Sequence, residues 1–342
     1  MKKIIVTGGA GYIGSHTVVA LAEAGYLPVV IDNFANSDEG VIGRIQSIIE
    51  KEVSVHKIDC TDESAVKEAI EKEGDIAGII HFAAHKAVSI SVERPLAYYR
   101  NNVGALISVM KSVQSLENFS FVFSSSATVY GQPDSLPVSE NSPFKLAESP
   151  YGRTKQICES IITDVIASGL LMKAVTLRYF NPIGAHPSGR IGELPRGKPE
   201  NLIPYLTQTA VGKRTQLTVF GDDYDTPDGT CIRDYIHVVD LARAHVLALD
   251  WMSVQCHSSF NEVFNVGSGY GTSVLDAIRA FEKATGISLN YRIGDRRIGD
   301  VAVSYADVSK AKRCLGYFTR LSLEDAMRDA YNWQLKLNCF SR

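Results

Sequence analysis

The chain has 342 residues, 45% of them hydrophobic, a net charge of −3 and a mean hydropathy of −0.01, which predicts a soluble globular protein with room for one or two buried cores. Its lysines and arginines form no basic stripe and no apolar run approaches the roughly 20 residues of a bilayer span, so neither nucleic acid nor membrane is an expected partner. The start Met1-Lys2-Lys3-Ile4 lacks a signal-peptide cleavage pattern, and Cys60, Cys158, Cys231, Cys256, Cys314 and Cys339 are scattered without a C-x-x-C pair; together these predict a cytoplasmic protein with reduced thiols and no bound metal.

The first element is the apolar run Ile4-Ile5-Val6-Thr7, which breaks into Gly8-Gly9-Ala10-Gly11-Tyr12-Ile13-Gly14 and resumes with helical spacing at Val18, Leu21 and Ala22. Strand, tight turn and helix follow. Glycine lets the backbone approach a ligand, and the free N–H groups of the opening helix suit a pyrophosphate. Gly9, Gly11 and Gly14 match G-x-G-x-x-G, while Gly8, Gly11 and Gly14 match G-x-x-G-x-x-G. A second apolar run, Leu27 to Ile31, ends in Asp32 at about the spacing of a ribose-binding carboxylate.

Further apolar runs lie at Val53 to Ile58, Ile76 to Phe82, Phe119 to Phe123 and Lys173 to Phe180. Helical patterns separate them at Glu63 to Lys72, Leu96 to Ser115 and Tyr151 to Ala167, the alternation of an α/β, doubly wound parallel sheet of Rossmann type. Ligands then gather outside the carboxyl ends of the strands. Residues 181–204 are rich in glycine and proline and read as a substrate-covering excursion. Beyond it come a helix at Ile203 to Gly212, a strand at Leu217 to Phe220, a turn at Thr226-Pro227-Asp228-Gly229, and a helix opening near Asp240 and ending near Met252. A strand at Val263 to Val266, a helix capped by Thr272 or Ser273, and a last helix from Leu323 capped by Ser322 complete the pattern. The expected organisation is a dinucleotide-binding domain at 1–180, to which 231–268 returns, and a smaller α/β lobe at 181–342.

Two stretches carry reactive groups. Tyr151 and Lys155 share one helix face, and of the 15 tyrosines only Tyr151 has a lysine at this offset. An adjacent ammonium and a cationic nicotinamide ring favour the phenolate, which could then exchange a proton with a hydroxyl. Ser124-Ser125-Ser126 follows a strand, and Ser126 is the expected hydrogen-bond donor to the reacting oxygen.

The glycine turn, Asp32, the serine run and Tyr151-x-x-x-Lys155 resemble the extended short-chain dehydrogenase/reductase superfamily. The stretches Asp32 to Ser37, His81 to Lys86, Ser124 to Gly131, Arg178 to Gly189, Asn201 to Tyr205 and Arg233 to Val238 resemble its UDP-glucose 4-epimerase family. The resemblance covers about Lys2 to Tyr331. It implies that Gly8, Gly11, Tyr12, Ile13 and Gly14 cradle NAD, that Asp32, Asn33, Asn36 and Ser37 hold the adenosine ribose, and that Asp59 and Cys60 flank adenine. Phe82, Ala83, Lys86 and Asn101 would line the other half of the cofactor, with Phe180 near the nicotinamide. His85 departs from the apolar residue usual before that lysine, and Asp32 argues against NADP. Asn181, Asn201, Leu202, Arg233, Arg297 and Asp300 resemble UDP-binding positions, with Thr218 and Phe220 near uracil.

The implied reaction belongs to galactose metabolism: Tyr151, Ser126 and Lys155 support oxidation at sugar C4, the 4-keto sugar turns over, and the returned hydride inverts C4. Ser304 is small where family members confined to glucose and galactose can carry tyrosine, which implies that N-acetylhexosamines also fit; Ala302 stands where proline is common. The helices at Leu96 to Ser115 and Tyr151 to Ala167 resemble the pair through which the family forms homodimers. Two other readings compete. A nucleotide-sugar 4,6-dehydratase would need a carboxylate beside Ser126, which Ala127-Thr128-Val129 does not supply, and a non-catalytic NAD-binding regulatory protein would have no use for Ser126, Tyr151 and Lys155.

Overall fold

The computed structural model describes residues 1–116, 119–297 and 300–340, the side chains of 338–340 excepted. The Cys339 side chain and, within the 297–307 stretch, Ile298 and Gly299 therefore lie outside what is described. Along the first half run β1 (Lys3–Thr7), α1 (Tyr12–Glu23), β2 (Leu27–Ile31), α2 (Gly40–Ile49), β3 (Ser54–His56), α3 (Glu63–Glu73), β4 (Ile76–His81), α4 (Val88–Glu93), α5 (Pro95–Tyr98), α6 (Gly104–Ser112), β5 (Phe119–Ser126), α7 (Pro150–Ala167) and β6 (Met172–Tyr179). The second half adds β7 (Asn181–Ile183), α8 (Leu202–Ala210), β8 (Leu217–Phe220), β9 (Ile232–Arg233), β10 (Tyr235–His237), α9 (Val238–Ser253), β11 (Phe260–Val266), β12 (Thr272–Ser273), α10 (Val274–Thr285), β13 (Tyr291–Gly294), β14 (Val303–Ser304), α11 (Ser309–Leu315) and α12 (Leu323–Phe340).

Seven strands form one parallel sheet in the order β11-β6-β5-β4-β1-β2-β3. Its central strands are buried on both faces, and the period of two divides their side chains between two cores. Ile4, Val6 and Val30 join the core beneath α1 and α9, whereas Ile5, Val29 and Ile31 join the core beneath α3, α6 and α7. After β3 the chain returns to lay β4 beside β1, so the strand order reverses between them. That reversal opens a crevice at the carboxyl ends of β1 and β4. A third core, with Ile203, Leu206, Val219, Ile278, Phe281 and Met327, joins α8, α10, α12 and β8 into a second lobe.

The expected helix at Leu96 to Ser115 is not continuous. Pro95 opens a single turn, Tyr99–Val103 forms a π-helical turn, and only Gly104–Ser112 is regular α-helix. The wide turn carries Asn101 and the buried Asn102, whose Nδ2 donates to His85 O (3.0 Å) and Thr154 Oγ1 (3.1 Å) while its Oδ1 accepts from His85 N (2.7 Å). At the start of α7, Ser149 Oγ accepts from Gly152 N at 3.2 Å and Pro150 occupies the first turn, which fixes where Tyr151 emerges. Of the two cap candidates for α10 it is Ser273 that accepts from Asp276 N (3.0 Å). Among the described residues no helix is long and apolar enough to cross a membrane.

Candidate active site

At the crevice the glycine turn is held by sterics. Gly8 has φ +68°, and a Cβ there would stand 2.8 Å from Ala83 N; a Cβ on Gly14 would stand 2.2 Å from Gly8 O. Side chains at either position would force the turn off the sheet. Gly11 caps α1 without a side-chain hydrogen bond, so the first-turn N–H groups around Tyr12 and Ile13 are left to a ligand's phosphate oxygens. A dinucleotide pyrophosphate fits this cradle.

Asp32 ties the turn to the next loop. Its Oδ2 accepts from Ala10 N (3.0 Å), and its Oδ1 accepts from Phe34 N (2.8 Å) and Ser37 Oγ (3.0 Å). Asn33 Nδ2 donates to Asp59 Oδ2 at 2.9 Å, bringing the expected adenine side against the ribose side, with exposed Asn36 on the same loop. Burial pushes the Cys60 thiol up to about 12, so it is an apolar wall and no nucleophile. Phe82 packs its ring 4.8 Å from that of His245, and Lys86 pairs with Glu193 at 2.8 Å.

Across the crevice, β5 delivers its serines to α7. The Ser126 hydroxyl, which accepts from Thr128 N at 3.3 Å, lies near enough to the Tyr151 phenol to act on it, and Lys155 Nζ donates to Ser124 O at 2.5 Å while lying 5.9 Å from the Tyr151 ring centre. The ammonium thus stands beside the phenol without bonding to it. Burial dominates both groups. It raises Tyr151 to about 12 against the lowering influence of the Ser126 hydroxyl, and it lowers Lys155 to about 8 against the charges of Cys158 and Glu159. The lysine alone therefore does not yield a phenolate at pH 7, and further positive charge at the site is required. Phe180 is buried at the end of β6, its N–H donating to Val266 O at 3.1 Å.

The second lobe contributes a cluster of opposite charges. Arg297 donates to Asp300 through Nη2 (2.7 Å) and Nε (3.1 Å), and Arg233 Nη2 lies 3.6 Å from the same carboxylate. Two planar guanidinium forks are held side by side, suited to a diphosphate. Thr218 and Phe220 lie on β8, with the Phe220 ring centre 5.8 Å from the Arg297 guanidinium. Ser304 pairs with Arg233 in the β14/β9 register, and Ala302 O accepts from Ile232 N at 2.8 Å. Asn201 Nδ2 donates to Glu193 Oε1 at 3.0 Å, next to Leu202 at the head of α8, and Asn181 N donates to Asp234 O at 2.9 Å.

Several residues at this site escaped the sequence reading. Glu159, on the same face of α7 one turn beyond Lys155, accepts from Ser125 Oγ and pairs with Arg178 at 2.7 Å. Its i+4 spacing from Lys155 was the available signal. Tyr179 is hydrogen-bonded to His245, while Glu193 bridges Lys86 and Asn201; long sequence separations hide both arrangements.

Comparison with known proteins sharpens the picture. The chain is 48% identical over 332 residues to the UDP-glucose 4-epimerase of Dictyostelium discoideum, covering 97% of this chain and 95% of that one. It superposes with a TM-score of 0.95 on the UDP-glucose-4-epimerase of Stenotrophomonas maltophila with bound NAD and formylated UDP-arabinopyranose, at 44% identity and covering 99% and 100% of the two chains. The enzyme from Bifidobacterium longum in complex with NAD+ and UDP gives a TM-score of 0.92 at 43% identity, with 98% of each chain covered. A family model described as GDP-mannose 4,6 dehydratase matches residues 5–330. The chain belongs to this family, and within it to the UDP-glucose 4-epimerases. The dehydratase description is that of the broad family, whereas the near-full-length relatives are epimerases, and the 3₁₀ turn Ala127–Tyr130 after Ser126 carries no acid.

Proposed function

We propose that this chain is an NAD-dependent UDP-hexose 4-epimerase that interconverts UDP-galactose and UDP-glucose. The carrying observation is the convergence of Ser126, Tyr151 and Lys155 at the end of β5, one strand from the glycine-lined crevice. NAD held by the glycine turn and Asp32 would supply the hydride acceptor and donor for chemistry at C4. Tyr151 takes the O4 proton and later restores it, Ser126 holds the oxygen by a hydrogen bond, and the Lys155 ammonium, anchored on Ser124 O, favours the phenolate. Arg233 and Arg297, steadied by Asp300, grip the diphosphate, which leaves the hexose free to turn between the two transfers. Incubation of the purified protein with UDP-galactose, without added NAD, should yield UDP-glucose. Formation of a 4-keto-6-deoxy product would favour the dehydratase, and no turnover would favour a non-catalytic role.

The same site takes UDP-GlcNAc and UDP-GalNAc, a reading supported by small Ser304 beside Arg233. Ser304→Tyr should lose the N-acetyl activity selectively, and a wild type inert toward UDP-GalNAc would refute it. The protein acts in the cytoplasm as a homodimer. Val88, Val92 and Leu96, exposed on the α4–α5 surface beside α7, support an isologous contact, and a monomer mass by light scattering at micromolar concentration would overturn it.

A further inference from the structure

Residues 184–201 leave the second lobe and cross the crevice to the adenosine side. Arg196, near the far end of this crossing, donates to three main-chain carbonyls of the ribose loop: Nη1 to Ala35 O (2.6 Å), and Nη2 to Phe34 O (3.1 Å) and Ser37 O (2.6 Å). The loop it grips is not at rest by itself. Phe34 sits at φ +57°, a left-handed conformation unfavourable for a bulky residue, which persists only when its surroundings over-determine it. Asp32 supplies the inner restraint and Arg196 the outer one.

The crossing is braced where it would otherwise swing. Trp333 Nε1 donates to Glu193 O at 2.9 Å and its ring fills the space above Gly192, where a Cβ would meet it at 2.4 Å. Arg190 Nη1 donates to Ser47 O (2.7 Å) at the end of α2. Arg196 is thus the outer end of a strap pinned to α12 in its middle.

We infer that Arg196 is a positioning residue for the cofactor: by holding the carbonyls of Phe34, Ala35 and Ser37 it keeps the ribose loop closed and makes release of this strap the step that limits NAD exchange. The inference rests on the reading of Asp32 to Ser37 as the ribose site. Arg196 itself touches neither the reacting atoms nor the sugar nucleotide site. A planar fork satisfies three acceptors together, which a single ammonium does not.

The test is exchange of bound NAD for isotope-labelled NAD, followed by native mass spectrometry on the intact protein. Arg196→Ala should exchange about tenfold faster than wild type, the loss expected when three modest hydrogen bonds to one loop disappear. Arg196→Lys, which keeps the charge but not the planar fork, should exchange at an intermediate rate. Exchange by Arg196→Ala within about twofold of wild type would overturn the inference while leaving the NAD site standing. A wild type that binds no NAD at all would remove the ribose-site reading and the strap with it.

Discussion

With only protein groups around it, Tyr151 is a neutral phenol at pH 7, because burial outweighs the lowering influence of the Ser126 hydroxyl. Its use as a base therefore depends on charge brought by the cofactor as well as by Lys155. Tyr151→Phe should lower turnover by about 10²–10⁴-fold with UDP-sugar binding nearly unchanged, as measured by steady-state kinetics beside calorimetric UDP titration. A variant with half the wild-type rate would remove Tyr151 from this role. Lys155 carries the opposite tension. Its folded pKa of about 8 lies below the ordinary lysine value, so the unfolded chain binds the extra proton between those two values. The ammonium is consequently a destabilising group below pH 8, a penalty that is relieved as pH rises toward the unfolded value. Lys155→Met should be inactive yet unfold at a higher temperature than wild type at pH 7, with the gap narrowing by pH 9.5. Thermal scans of both proteins at the two pH values check the sign.

On the scale of elements, the catalytic end of α7 is fastened to the sheet by a polar row. Ser125, Arg178 and Asn265 are register neighbours on β5, β6 and β11, and Glu159 and Tyr130 connect them: Arg178 Nη1 donates to Tyr130 OH (2.9 Å), which donates to Asn265 Oδ1 (2.6 Å). All five residues are buried. Glu159→Ala would strand the Arg178 guanidinium and should cost roughly 3–5 kcal/mol in urea unfolding, whereas Glu159→Leu combined with Arg178→Met should recover part of that loss. If the single variant is as stable as wild type, the row is not what holds the helix. The row as a whole was not legible in the sequence, since its members meet only when three strands align; the i+4 spacing of Glu159 from Lys155 was its one trace. The central strands were legible because parallel strands buried on both faces read as continuous apolar runs, and the glycine turn because sterics demand its spacing. Other elements were hidden by their composition. Helix α4, Val-Ser-Ile-Ser-Val-Glu, has strand-like β-branched alternation, α2 begins on glycine, and the π-helical turn that presents Asn102 leaves no periodic trace within 96–115.

For the whole molecule, the two lobes meet over the cofactor side as well as the sugar side. Glu193 accepts from both Lys86 and Asn201, Tyr12 OH donates to Gly184 O at 2.7 Å, and the second lobe thereby contacts the first at the mouth of the glycine turn. A cofactor lying between Gly8–Gly14 and Asp32–Ser37 would be enclosed by these contacts. The reaction also restores its oxidation state at every turnover, so catalysis gives no reason for it to leave. NAD should therefore copurify with the protein and raise its unfolding temperature relative to stripped protein, since a ligand bound only by the folded state stabilises it by mass action. Denaturing freshly purified protein and assaying the supernatant should find close to one NAD(H) per chain. Activity that depends wholly on added millimolar NAD, with none released on denaturation, would mean that the lobes do not enclose the cofactor and that it behaves as a cosubstrate.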